Sequence, residues 1–93
     1  MKIYIAGPIT GIYSYKKNFN NAERRLTKKG HTVLNPSTLP GGLHDYMPIC
    51  KAMIDQADAI YLLKGWEKSI GSNEEAEYTE AAGKEILFEE FDK

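Results

Sequence analysis

Four glutamates crowd into seven positions of the stretch SIGSNEEAEYTEAAGKEILF (residues 69–88): Glu74, Glu75, Glu77 and Glu80. A carboxylate aimed into a cleft can act as a nucleophile towards an electrophilic carbon. One aimed at water only solvates a helix face. Helical spacing sorts them, because side chains three, four or seven apart share a face. Tyr78, Ala81 and Ala82 form the expected inward side. Glu75 lies three before Tyr78 and seven before Ala82, and Glu74 lies four before Tyr78 and seven before Ala81. Both fall on or beside the inward face, whereas Glu77 and Glu80 point to water. Glu75 also completes a capping box, Ser72-x-x-Glu75, with Ser72 as N-cap. Acids in a first turn are further favoured by the helix dipole, by about 0.3–1 kcal/mol. The residues alone leave capping and chemistry both open for Glu75.

Other residues carry similar pairs of readings. Gly7-Pro8-Ile9-Thr10-Gly11 follows an apolar run. Glycines there let the backbone approach a ligand and present amides to an anion, or simply make a tight turn. Asp58 precedes an apolar run and is either a turn residue or a cleft-facing acid. Tyr4 lies inside the first run, where a core aromatic with its hydroxyl at the rim is common. Trp66 either stacks on a base or closes the core.

Composition narrows the class. The net charge of −1 gives no broad electrostatic surface for nucleic acid, and Arg24, Arg25, Lys28 and Lys29 fit a solvated helix face. Cys50 is the only cysteine, so an internal disulfide and a CxxC metal site are excluded. His31 and His44 lie in different segments, without metal-ligand spacing. No apolar run approaches the roughly 20 residues of a membrane span. The opening MKIYIAG is too short in apolar residues for a signal peptide. The expectation is a soluble cytoplasmic protein of one domain, residues 1–93, needing neither metal nor cofactor. Its small core favours a homodimer or higher homo-oligomer.

The elements that must position these residues follow from periodicity. Strands are expected at Ile3–Ala6, His31–Leu34, Ala59–Leu63 and Glu85–Phe88, the first and third apolar without alternation, as in strands buried on both faces. Helices are expected at about 15–29, 45–56 and 72–82, with Pro48 tolerated in a first turn. Gly30 and Gly83 stop the first and third. The order βαβαβαβ predicts an α/β fold: a four-stranded parallel sheet in a flavodoxin- or Rossmann-like three-layer αβα sandwich. Ligands of such sheets bind beyond the C-terminal strand ends, at the switch in strand order. GPITG, NPST and KGWEKSIGS occupy that edge.

Taken together, KIYIAGPITG, the Asn-Pro after the second strand, and ADAIYLLKGWEKSIGSNEEAEYTEAAGKEIL resemble the nucleoside 2-deoxyribosyltransferase-like superfamily. The resemblance spans nearly the whole chain and is closest to a small bacterial and phage branch without an assigned function. It implies that Glu75, six residues after Ser69, is the nucleophile. Asp58 would hydrogen-bond and protonate the departing base, and Tyr4 would orient Glu75. Gly7, Pro8, Thr10, Trp66, Ser69 and Gly71 would line the substrate pocket. Ser69-Ile70-Gly71 is similar to the phosphate-binding serine motif of the branch that hydrolyses deoxynucleoside 5′-monophosphates, whereas Thr10 stands where that branch has an arginine. The implied activity is an N-glycosidase or deoxyribosyltransferase acting on a 2′-deoxynucleoside or its 5′-monophosphate. The alternative is a nucleotide-binding or sensing protein of the same fold without catalysis. The implied partner is a small nucleoside or nucleotide, not nucleic acid or a membrane.

Overall fold

The computed structural model describes residues 1–92. Its elements are β1 (Lys2–Ala6), α1 (Tyr15–Lys28), β2 (Thr32–Leu34), α2 (Met47–Asp55), β3 (Ala59–Leu62), α3 (Ile70–Ala81) and β4 (Glu85–Phe88). Short 3-10 turns follow β2 (Pro36–Thr38), β3 (Trp66–Lys68) and β4 (Glu89–Phe91). The sheet order is β2-β1-β3-β4 and every pair is parallel. This is the expected α/β sandwich.

Alternate residues of the central strands feed two cores. Ile3, Ile5, Ala59 and Tyr61 meet Phe19, Ala22 and Leu26 of α1 on one face. Tyr4, Ala6, Ile60 and Leu62 meet Cys50 and Ile54 of α2 on the other, where Ala76 and Tyr78 of α3 also pack. Burying each large aliphatic side chain contributes about 1.5–3 kcal/mol, so these unalternating strands specify a sheet covered on both sides.

Helix ends follow from capping. Gly30 and Gly83 take the left-handed conformation, at φ 91° and 73°, just after α1 and α3. Asp45 accepts from the Met47 N–H at 3.1 Å, which starts α2 two residues later than expected. At α3 the expected capping box is corrected. Ser69, not Ser72, is the N-cap, and its hydroxyl accepts from the Ser72 N–H at 3.2 Å. The helix therefore starts at Ile70, and Glu75 lies in its second turn, beyond any first-turn role.

The inward face of α3 is also corrected. Its buried residues are Ser72, Glu75 and Thr79, while Ala81 and Ala82 are exposed. Ala81 lies six residues after Glu75, which places it about 120° away around the helix. Ala82 is in phase with Glu75 but is the C-cap residue, past the packed part of the helix. Glu74 points outward and pairs with Lys51 at 3.0 Å. Glu77 and Glu80 are exposed, as the spacing predicts.

Two charged devices fasten the periphery. The Lys84 ammonium donates to the carbonyls of Ile54, Asp55 and Ala57 at 2.9, 3.0 and 2.7 Å, closing the C-terminal end of α2. Beyond β4, Arg25 pairs with Glu89 at 2.6 Å and Lys29 with Asp92 at 2.5 Å, tying the terminal turn to α1.

Candidate functional site

The chain runs outward from β1 to β2, then returns past β1 to β3, so strand order reverses between β1 and β3. The loops leaving these two strands meet there. Gly65, at φ 88°, brings the β3 loop so close to Pro8 that an added Cβ would stand 3.5 Å from its ring. The N-terminus of α3 opens onto the same edge.

One layer below this rim lies the most unusual polar contact in the molecule. The Tyr4 hydroxyl donates to Glu75 Oε2 at 2.6 Å, and the contact is buried. The pair sits about 7.5 Å along α3 from Ile70, five residues at 1.5 Å each. Tyr4 is 0% and Glu75 7% exposed. Thr79, one turn on, donates its hydroxyl to the Glu75 carbonyl at 2.7 Å. Burial pushes the Glu75 carboxyl above the usual glutamate range, and the Tyr4 hydroxyl and Cys50 thiol draw it back down. Burial likewise holds the Tyr4 hydroxyl firmly protonated, reinforced by the adjacent Glu75 charge. The pair is therefore a fixed donor on a buried acid.

Two cavities flank it. One, of about 250 Å³, is lined by Ile9, Tyr15, Pro36, Leu39, Tyr46 and Cys50, among others. The other, of about 340 Å³, is formed by Pro8, Ile9 and Thr10 facing Lys68, Ser69, Ile70 and Gly71. Ile9 lines both. Glu75 itself lines neither. Cys50 lies on the wall of the first cavity, and the α3 N-terminus on the wall of the second.

Of the residues singled out in the sequence, Tyr4 and Glu75 touch, and Pro8, Thr10, Ser69 and Gly71 gather round the second cavity. Three others stand apart. Asp58 is exposed and sits at the opposite, N-terminal edge of the sheet, where it accepts from the Lys2 backbone N–H at 2.8 Å. That bond is the main cause of its lowered carboxyl pKa. The expectation that it faces the cleft is thus corrected, because β3 begins at Ala59 and leaves Asp58 before the strand. Gly7 lines neither cavity. An added Cβ there would stand 2.8 Å from Leu63 Cβ, so its glycine serves close strand packing. Trp66 packs against Phe88 with ring centroids 6.0 Å apart and helps close the core.

Cys50, on the apolar stripe expected of α2, is buried in the core. One feature escaped the sequence reading. Asn35 is buried and organises the first cavity's wall. Its Oδ1 accepts from the Ser37 N–H and hydroxyl at 2.9 and 2.7 Å, and its amide donates to Asn20 and Glu23 at 3.0 and 2.8 Å. The Asn-Pro-Ser run, a capped turn after a strand, carried that signal.

Among the described residues Glu75 is the one buried acid, and it stands beside the strand-order switch, where parallel sheets of this kind bind their ligands. The chain belongs to the DUF4406 family, a domain of unknown function, which matches residues 1–88. Among solved structures it is similar to a 2-deoxyribosyltransferase from the psychrotolerant bacterium Bacillus psychrosaccharolyticus. The TM-score is 0.71 and the identity 22%, covering 95% of this chain and 71% of that one. This shows the shared fold. Comparison with curated protein sequences returns no match.

Proposed function

We propose that the protein cleaves or transfers the N-glycosidic bond of a 2′-deoxynucleoside or its 5′-monophosphate, with Glu75 as nucleophile. The observation that carries this reading is the buried Tyr4–Glu75 pair at the sheet's switch point. The similar solved structure, a 2-deoxyribosyltransferase, supports the substrate class. The mainly apolar cavity with Tyr15 and Tyr46 suits a planar base. The cavity at Ser69–Gly71 and Pro8–Thr10 suits the sugar and a 5′-phosphate, near the amides of the α3 N-terminus.

In the reaction the Glu75 carboxylate forms a bond to C1′ of the sugar as the C1′–N bond breaks. The base leaves with the bonding electron pair and takes a proton from solvent. Water, or a second base, then attacks C1′ of the glycosyl ester and releases Glu75. The transition state is oxocarbenium-like, as in retaining glycosidases. Tyr4 holds Glu75 Oε2 and fixes the carboxylate's orientation. Asp58, at the other edge, takes no part.

A second reading is favoured by one observation: Glu75 lines neither cavity and is only 7% exposed. A domain that binds a nucleotide without cleaving it would fit that burial. Incubation with the four deoxynucleosides and their 5′-monophosphates separates the two. Free base is expected, and its loss in Glu75→Gln assigns the nucleophile. A rise in melting temperature with nucleotide but no free base would replace catalysis with binding. Neither effect would remove both readings. Exposed Tyr13, and exposed Ile70 on the wall of the second cavity, support association with a second copy, testable by light scattering.

A further inference from the structure

We propose that Asn35 is a positioning residue for the cavity that suits the base, its side chain tying two parts of the cavity wall together. This deepens the reading of that cavity as the base site and rests on it. The two parts come from separate elements. The turn Pro36–Thr38 supplies Pro36 and Ser37, and α1 supplies Tyr15 and Lys16. Asn35, only 6% exposed, bonds to both elements. Its Oδ1 accepts from the Ser37 N–H at 2.9 Å and from the Ser37 hydroxyl at 2.7 Å. Its amide nitrogen donates to Asn20 Oδ1 at 3.0 Å and to Glu23 Oε1 at 2.8 Å. The Ser37 backbone N–H can only donate, so it fixes which amide atom faces the turn. Asn20 and Glu23 lie four and seven residues after Lys16, on the same face of α1. The helix face that Asn35 grips therefore carries a cavity-lining residue.

The choice of residue points the same way. Capping the turn needs only an acceptor, which serine, threonine or aspartate would supply as well. Asn35 uses its full hydrogen-bonding capacity, both lone pairs of Oδ1 on the turn and both amide hydrogens on α1. The bonds to α1 add nothing to the cap. They hold the turn at a fixed distance from the helix. The Thr38 hydroxyl returns to the Asn35 carbonyl at 2.9 Å, so the turn moves as a unit with this residue. None of these bonds involves Glu75, so the tie acts on the seat of the base and not on the nucleophile.

The test reverses the polarity of one bond. Asn35→Asp keeps the acceptor for Ser37 but sets a carboxylate against Glu23. Adding Glu23→Gln supplies a donor again, now from α1 to position 35. Calorimetric titration with the four deoxynucleosides and their 5′-monophosphates reads affinity whether or not the protein turns them over. Asn35→Asp is expected to weaken the tightest of them by about tenfold or more, and the double variant to recover most of that loss. Melting temperature without nucleotide is measured alongside. Wild-type affinity in Asn35→Asp would overturn the proposal even where melting falls, because the tie would then be structural only. Affinity that stays low in the double variant after melting has recovered would overturn it too. If Asn35→Asp does not fold, Asn35→Ser keeps the cap and gives up the tie to α1. The same loss of affinity is expected there, and wild-type affinity would overturn the proposal. A wild type that binds none of these compounds removes the base-site reading and the proposal with it. A wild type that binds them, with variants that bind equally well, removes Asn35 alone.

Discussion

Tyr4 and Glu75 are 71 positions apart in the chain and 2.6 Å apart in the fold. One comes from the middle of the central strand, the other from the second turn of the last helix. Placing an acid there opposes stability, since burial disfavours its charged form. Stability and chemistry therefore make opposite demands on Glu75, and substitution separates them.

Glu75→Gln is expected to abolish base release, by about a thousandfold or more, while stabilising the fold at neutral pH. The raised native carboxyl keeps its proton to higher pH than the unfolded one. Stability therefore declines as pH rises from the ordinary glutamate range through the raised native midpoint. Glutamine removes that decline. A gain is expected at pH 7.5, and almost none at pH 4. Denaturant unfolding at the two pH values measures it, and a loss of stability at pH 7.5 would contradict the account.

Tyr4→Phe takes away the hydroxyl and leaves the buried carboxylate short of a donor. The expected loss is about 1–3 kcal/mol at pH 8, shrinking at pH 4 where the carboxyl is neutral. An equal loss at both pH values would mean that the ring's packing, not its hydroxyl, matters here.

Asp58→Asn should leave turnover within about twofold of wild type, since the side chain stands at the far edge of the sheet. Its lowered native carboxyl stabilises the fold above the ordinary aspartate range and ceases to as pH falls through the native midpoint. Asp58→Ala should accordingly be less stable than wild type at pH 7, with the difference closing in strong acid. A large drop in turnover with unchanged stability would return Asp58 to the site.

Lys84→Met removes three hydrogen bonds to the end of α2 while keeping the aliphatic stem. Charged hydrogen bonds are worth about 1.5–3 kcal/mol, so a loss on the order of 2 kcal/mol is expected by denaturant titration. The Gly-Lys pair before β4 thereby has a structural meaning: glycine ends one helix and lysine closes another.

The strands were legible because a strand buried on both faces must be apolar throughout, as Ile3–Ala6 and Ala59–Leu62 are. The glutamates that face water, Glu77 and Glu80, were legible from spacing for the same reason. The inward face of α3 was not, because it is lined by Ser72, Glu75 and Thr79 while two alanines sit outside. Periodicity reads hydrophobicity, and a site buries polar groups against that rule. The capping box read at Ser72 gave way to Ser69, which takes the N-cap one turn earlier and accepts from the Ser72 N–H. Asp58 was placed in the site by the family resemblance, whereas it directly precedes β3, which begins at the expected Ala59, and so meets the edge opposite the cleft.

The turn at Glu89–Phe91 is fastened to α1 by Arg25 and Lys29, both largely solvent-facing. Such pairs weaken as ionic strength rises, because dissolved ions screen them over about 10 Å at 0.1 M. Added salt should therefore loosen this end of the molecule first. Amide hydrogens of the turn would exchange faster, while those of the central strand stay protected.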